Sequence, residues 1–118
     1  MIRAFLALLC ACFLLPSSAL ADPADIAAAS RGVVRVVLVS RDGDNVSYVG
    51  HGSGFAVTPT LVVTNAHVVA ALHEDDTMIA GIVPSEGASG YLARLVAYSP
   101  RNDLALLELV DKGALAPV

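Results

Sequence analysis

The chain has 118 residues, which is enough for one globular domain. It is 56% hydrophobic, and its 11 acidic residues against seven basic ones give a formal net charge of −4. A net negative chain without a stripe of basic residues argues against nucleic-acid binding, because affinity for nucleic acid depends on contacts to phosphate.

Residues 1–21, MIRAFLALLCACFLLPSSALA, have the layout of a secretory signal peptide. Arg3 forms a minimal positive region, residues 4–15 are an unbroken apolar run, and Ala-Leu-Ala at 19–21 supplies the small residues of a cleavage site. The alternative is an uncleaved membrane anchor, but a bilayer span needs about 20 apolar residues and this run is shorter. We therefore predict cleavage after Ala21, a periplasmic or secreted protein, and no stable membrane anchor after cleavage.

The positions of the two cysteines predict that the mature protein contains no disulfide. Both of them, Cys10 and Cys12, lie in the predicted signal peptide, so the mature chain has no thiol and forms no disulfide. An exported domain of this kind must be held together by its core alone. Loss of Arg3 with the signal peptide leaves six of the seven basic residues, so the mature protein is expected to be soluble and mildly acidic.

The first part of the mature chain predicts a lead-in and then a hairpin. Residues 22–32, DPADIAAASRG, form an Ala-rich lead-in with about one helical turn. In the segment VVRVVLVS (33–40), apolar residues alternate with Arg35, which is typical of a half-buried strand. The Asp-Gly pair in RDGDN (41–45) is a turn signal for a β-hairpin.

Short strand-like segments then follow at close spacing, separated by polar turns that contain Gly or Pro. They are residues 46–50, 53–58, 61–65, 77–83, 91–98 and 104–109. With 33–40 they make seven strands without a convincing long helix, which predicts an all-β barrel or sandwich. We place this domain at 33–112 and predict that a linker starts within 113–118.

A histidine follows the third of these later strands directly, in LVVTNAHVV (61–69). The small side chain of Ala66 allows the backbone to pack closely just before His67. Further along, Asp103 opens the apolar strand LALLEL, where a carboxylate that becomes buried needs a partner. An imidazole N–H is a suitable partner, and this pairing leaves the other ring nitrogen free as a general base.

Each of these residues also has an ordinary structural explanation. A single histidine after a strand is commonly a surface or core residue, and a single aspartate before a strand is commonly a turn residue. The two together, in this order and with these flanks, favour catalysis. His51 and His73 have no acid at a comparable spacing, and Glu74-Asp75-Asp76 is expected to be a solvated loop, with metal binding as a remote alternative. We therefore expect no metal and no cofactor.

The segments GHGSGFAVTPTLVVTNAHVV (50–69) and SPRNDLALLEL (99–109) resemble the amino-terminal barrel of a chymotrypsin-fold, trypsin-like serine protease. The resemblance is to the HtrA or Deg-type branch, which shows Gly-Ser-Gly-Phe, then Thr-Asn-x-His-Val-Val, then Asp-hydrophobic-Ala-Leu. It covers residues 31–112. It implies an antiparallel Greek-key barrel of six or seven strands, the first of two barrels, in a serine endopeptidase that acts on proteins or peptides without a cofactor. It also implies that His67 is the general base and that Asp103 orients it.

The resemblance leaves the nucleophile unassigned. The triad order in this fold is His, Asp, Ser, and no serine follows Asp103 in the sequence. Ser53 does not fit a nucleophile elbow, because that pattern needs glycine where His51 and Phe55 stand. We therefore predict that the serine, the oxyanion hole and the specificity pocket belong to a missing second barrel, and that this chain alone is inactive.

Two functional hypotheses follow. In the first, the chain is the amino-terminal fragment of an exported serine endopeptidase. In the second, it is a non-catalytic exported β-barrel binding domain, a degenerate protease homologue. The strand LALLEL favours the first, because Leu104 and Leu106 are apolar on the face opposite Ala105, Leu107 and Leu109, and a strand that is apolar on both faces is expected to be covered on both.

Overall fold

Six antiparallel strands close into a barrel in the computed structural model, which describes residues 22–86, 89–111 and 115–118. The strands are β1 (Val33–Asp42), β2 (Asn45–Ala56), β3 (Leu61–Thr64), β4 (Met78–Pro84), β5 (Tyr91–Ser99) and β6 (Leu104–Leu109). Their order around the barrel is β1-β2-β3-β6-β5-β4, and β4 pairs with β1 to close it. Because β3 pairs with β6 rather than with β4, the chain follows a Greek-key path, as the resemblance to trypsin-like proteases implies.

The two segments predicted at 46–50 and 53–58 are one strand, β2, so the barrel has six strands rather than seven over the described residues. β2 pairs with β1 from Val33 opposite Phe55 to Asp42 opposite Asn45, with one bulge between Leu38 and Val39. Gly52, which lies between the two predicted strands, does not form a turn. A Cβ added at Gly52 would lie 2.6 Å from both methyl groups of Val68, so this glycine allows close packing within a continuous strand.

The lead-in forms a helix, α1 (Pro23–Ser30), which is longer than the single turn predicted for it. Asp22 caps the helix by accepting a hydrogen bond from the backbone N–H of Ala24 at 2.9 Å, and Pro23 occupies the first turn, where no N–H is needed. None of its residues is buried, so α1 contributes nothing to the barrel core.

The core is made mainly by the inward-facing residues of the strands, and Val69 and Leu115 from outside the strands complete it. The alternation predicted for β1 is confirmed, because Val34, Val36 and Leu38 are all buried. The inward face predicted for β6 is confirmed in the same way. The largest side chains that are fully buried are Val36, Val62, Val69, Ile82 and Leu107.

The end of the chain lies against the barrel. Leu115 is buried and its N–H donates to the carbonyl of Pro59 at 3.2 Å, while the N–H of Val118 donates to the carbonyl of Ala56 at 2.9 Å. The linker proposed to start within 113–118 stays a prediction, and the signal peptide predicted at 1–21 lies outside the described residues. Within the part of the chain that the structure describes, no helix is long and apolar enough to span a membrane.

Candidate active site

His67 stands on a tight turn at the rim of the barrel. β3 ends at Thr64, which is buried and whose hydroxyl donates to the carbonyl of Ser53 at 2.7 Å. The chain then tightens into a 3₁₀ turn over Ala66–Val68, with Ala66 buried beneath it. This packing directs the imidazole outward, and the side chain of His67 is 70% exposed.

Asp103 is held by the turn that precedes β6. Its N–H donates to the carbonyl of Pro100 at 3.2 Å, and its φ is +53°, a left-handed conformation that aspartate tolerates better than most residues. The side-chain amide of Asn65 donates to the carbonyl of Asp103 at 3.1 Å. Such a conformation persists where the surroundings fix it, and it is often found at functional sites.

The two residues meet through three hydrogen bonds. Nδ1 of His67 lies 2.8 Å from Oδ2 and 3.0 Å from Oδ1 of Asp103, and the backbone N–H of His67 donates to Oδ1 at 2.9 Å. With Nδ1–H donating to the carboxylate, Nε2 of the neutral ring is left as a proton acceptor. The arrangement can therefore act as a general base oriented by a carboxylate.

The carboxylate is ionised at neutral pH. The pKa of Asp103 lies below its ordinary value of 3.8, chiefly because the backbone N–H of His67 stabilises the charged form, and next because the imidazole also donates to it. Desolvation acts in the opposite direction and does not reverse the shift.

The carboxylate of Asp103 is not buried, although its place before an apolar strand raised that expectation. Its side chain is 47% exposed, because it lies in the turn before β6 and not on the inward face of that strand. Hydrogen bonds from His67 hold it in place, and burial does not.

The remaining histidines and Ser53 lie outside this pair. His51 is hydrogen-bonded through Nδ1 to the phenol of Tyr48, and the ring of His73 stacks on Tyr98 with centroids 4.4 Å apart. Ser53 lines the same groove as His67, but no serine hydroxyl of the described residues is hydrogen-bonded to His67.

The acidic segment 74–76 is exposed but is not wholly a loop, because Glu74 ends the short helix Ala70–Glu74, and it shows no ligand set. Asp75 accepts hydrogen bonds from the hydroxyl of Thr77 at 2.7 Å and from its backbone N–H at 2.9 Å, and both lower the pKa of Asp75. Over residues 22–86, 89–111 and 115–118, no group of three or more His, Cys, Asp or Glu side chains could hold a metal ion.

Two contributions to the site are not apparent from the sequence. The backbone N–H of His67 is the largest cause of the lowered pKa of Asp103, and the side-chain amide of Asn65 donates to the carbonyl of Asp103, 38 residues away in sequence. The only signal available for Asn65 was its place in the Thr-Asn-x-His segment. Periodicity gives no reason to expect that its amide reaches the turn before β6.

A closed six-stranded antiparallel barrel agrees with the trypsin-like fold expected from the sequence. The family model of the trypsin-like peptidase domain matches residues 52–118, which is more than half of the chain. The chain therefore belongs to the trypsin-like peptidase domain family. No curated protein matches it.

Proposed function

We propose that this chain is the amino-terminal barrel of an exported, trypsin-like serine endopeptidase of the HtrA or Deg type. The observation that carries the proposal is the 2.8 Å contact between Nδ1 of His67 and Oδ2 of Asp103, in a chain of the trypsin-like peptidase family. Substrates are proteins or peptides, and no cofactor takes part.

The roles of the two residues follow from their hydrogen bonds. Nε2 of His67 accepts the proton of the serine hydroxyl as that oxygen attacks the peptide carbonyl carbon, and returns it to the leaving amine. Asp103 remains ionised, keeps the ring in the tautomer with hydrogen on Nδ1, and stabilises the imidazolium that forms. Because no serine follows Asp103 in the sequence, we assign the nucleophile to a second barrel.

An apolar face on the outside of this barrel supports the presence of that second barrel. Outward-facing residues lie in register across five strands, with Phe55 opposite Val63 and Val63 opposite Leu106 at the centre of the row. We call this row, together with Leu104, the outer apolar face; its members are Val33, Phe55, Val63, Ala97, Leu104 and Leu106. Leu104 is 49% exposed and Phe55 is 41% exposed. A contiguous face of this kind is typical of an interface.

The direct test is the coding sequence downstream of Val118, where a Gly-x-Ser-Gly-Gly motif is expected. In the enzyme expressed with that sequence, His67→Ala should lower kcat by several orders of magnitude with little change in KM, because the loss falls in the transition state. Asp103→Asn should lower kcat by roughly 10⁴-fold, by analogy with the general triad, since the amide favours the wrong tautomer. His73→Ala is the control and should have little effect.

The chain of 118 residues provides a second test. It should neither hydrolyse peptides nor react with a serine-directed fluorophosphonate, because Ser53 is not hydrogen-bonded to His67. Stoichiometric labelling at Ser53 would contradict the proposal. If the longer enzyme retains full activity without His67, the protease assignment fails and the non-catalytic binding domain becomes the better hypothesis.

A further inference from the structure

Two surface grooves of the barrel share part of β2 in their lining. The first, of about 700 Å³, contains His67 and Val68, and the second, of about 630 Å³, extends over β1 and β4 to Arg35. Both are lined by the segment His51–Ser53 of β2. We call the two grooves together the lateral groove. His67 lines the first of them and Arg35 lines the second.

Arg35 is the only arginine or lysine among the described residues that line the lateral groove. It is exposed on β1, opposite Ser53 on one neighbouring strand and Val83 on the other. No carboxylate of the described residues lies within ion-pair distance of it, whereas Arg94 on β5 is paired with Glu108. Its guanidinium therefore presents N–H donors that no carboxylate of the barrel neutralises.

The rest of the polar lining also favours a negatively charged ligand. The described residues that line the lateral groove include no aspartate or glutamate. His51 has Nδ1 hydrogen-bonded to the phenol of Tyr48. When the phenol donates, the ring hydrogen lies on Nε2, which is then a donor as well. Glu86 and Arg31 line a neighbouring groove, which shares Pro84 with the groove of Arg35.

We propose that Arg35, assisted by His51, determines substrate specificity by binding a carboxylate of an extended peptide that passes His67. The inference rests on the proposed protease function and adds a substrate class to it, namely peptides with an acidic group near the scissile bond. Arg35 is the diagonal cross-strand neighbour of His51, since Ser53 is opposite Arg35 and His51 lies two residues before Ser53. This offset is about 7–8 Å, so the carboxylate lies about two extended residues beyond the part of the peptide that contacts His51.

The test measures peptide binding to the full 118-residue chain by ¹⁵N NMR titration at low salt, and it does not depend on turnover. The probes are octapeptides blocked at both ends, one carrying a single Glu and its analogue carrying Gln, and a Gln peptide with a free carboxyl terminus. The Glu peptide should bind about two- to fivefold more tightly than the Gln analogue, since an ion pair at an exposed guanidinium is only modestly favourable. The amide signals of Arg35, Gly52 and Ser53 should shift.

The variant Arg35→Gln should abolish the difference between the Glu and Gln peptides, and Arg35→Lys should retain part of it. Arg41→Gln is the matched control. It removes the same charge from the same strand, at the hairpin where Arg41 Nε donates to the carbonyl of Gly43, and it should preserve the difference. Equal binding of the Glu and Gln peptides, or a preference that survives Arg35→Gln, overturns the proposal.

The remaining outcomes separate the two hypotheses. A gain by the free-carboxyl Gln peptide that depends on Arg35 supports the carboxylate site and assigns it to a chain end. If the Glu peptide is preferred through Arg35 but the longer protein has no protease activity, the carboxylate site is supported and the protease function is rejected. If the longer enzyme is active but binds the Glu and Gln peptides equally, the protease function is supported and the carboxylate site is rejected.

Discussion

At the scale of single residues, the candidate site is organised around one carboxylate. The side chain of Asp103 accepts hydrogen bonds from both the main chain and the ring of His67, and the side-chain amide of Asn65 donates to the backbone carbonyl of Asp103. The main-chain bond does not depend on the identity of residue 67. The position of the carboxylate should therefore survive changes to the side chain that it orients.

Because Asp103 is bonded to both the backbone and the ring of His67, removing the ring should change the pKa of Asp103 only in part. In the unmodified chain the carboxyl should titrate below 3.8. In His67→Ala its pKa should rise but stay below 3.8, because the largest cause of the shift, the backbone N–H of residue 67, is retained. Carboxyl ¹³C titration by NMR measures both values. Asp75, whose pKa is lowered by Thr77, is the internal control and should not change; a return of Asp103 to 3.8 would contradict the prediction.

The same shift predicts how stability depends on pH. Because the pKa of Asp103 is lowered on folding, the stability it contributes is fully present above its unfolded value of 3.8 and is lost as pH falls through the lower, folded value. The difference in free energy of unfolding between the unmodified chain and Asp103→Asn should therefore shrink as the pH falls below 3.8. Urea unfolding at a series of pH values below 3.8 tests this, and a difference that grows over that range on acidification would reverse the assigned sign.

At the scale of secondary-structure elements, β2 controls where His67 stands. The strand carries Gly52 beneath Val68, the residue that follows His67 in the 3₁₀ turn. Both methyl groups of Val68 would lie 2.6 Å from a Cβ at position 52. Rotation about χ1 of a β-branched residue cannot move both groups away. The contact therefore ties the geometry of the turn to the absence of a side chain on the strand below it.

We expect Gly52→Ala to destabilise the chain by about 1–3 kcal/mol, the usual cost of overpacking, and to shift the NMR signals of the His67 ring. The second change Val68→Ala should restore most of the lost stability in the double variant, because it removes the methyl groups that clash. Gly50→Ala, where nothing lies within 4 Å of the added Cβ, is the matched control. Additive losses in the double variant would show that the contact with Val68 is not the cause.

β6 provides a second prediction at this scale, because its two faces differ in exposure. Leu104 is 49% exposed on the outer apolar face, whereas Leu107 is fully buried in the core. Replacing Leu104 and Leu106 by threonine should raise the solubility of the isolated chain and reduce its self-association, measured by analytical ultracentrifugation. Leu107→Ala is the control on the opposite face and should cost about 2–5 kcal/mol. Strong destabilisation by the Leu104 and Leu106 changes would instead assign that face to a core.

At the scale of the whole molecule, closure of the barrel creates the candidate site. His67 follows β3 and Asp103 precedes β6, and these strands are neighbours only because the chain crosses from β3 to β4 and returns. The two residues are 36 positions apart in sequence and 2.8 Å apart at their closest side-chain atoms. A barrel of this size buries a limited share of its surface and is only modestly stable. The contact between His67 and Asp103 exists only while the barrel is folded.

Export is the prediction that belongs to the whole chain. The small residues at 19–21 follow a short apolar run, so signal peptidase should cleave after Ala21. Amino-terminal sequencing of the exported protein should begin at Asp22, and Ala21→Pro should block cleavage while Ala28→Pro, beyond the site, should not. An exported protein that keeps residues 1–20 would contradict it.

The sequence by itself determined the class of fold, the inward faces of β1 and β6, and the choice of His67 and Asp103. These features depend on local alternation, on turn residues and on two short motifs, all of which are visible along the chain. It did not determine that residues 45–56 form one strand, because whether a glycine interrupts a strand depends on what packs against it, and at Gly52 that is Val68. The half-exposed setting of Asp103, the support from Asn65 and the grooves beside His67 and Arg35 were likewise decided only by the tertiary structure. Each arises between residues far apart in sequence, which pairing across a closed barrel brings together.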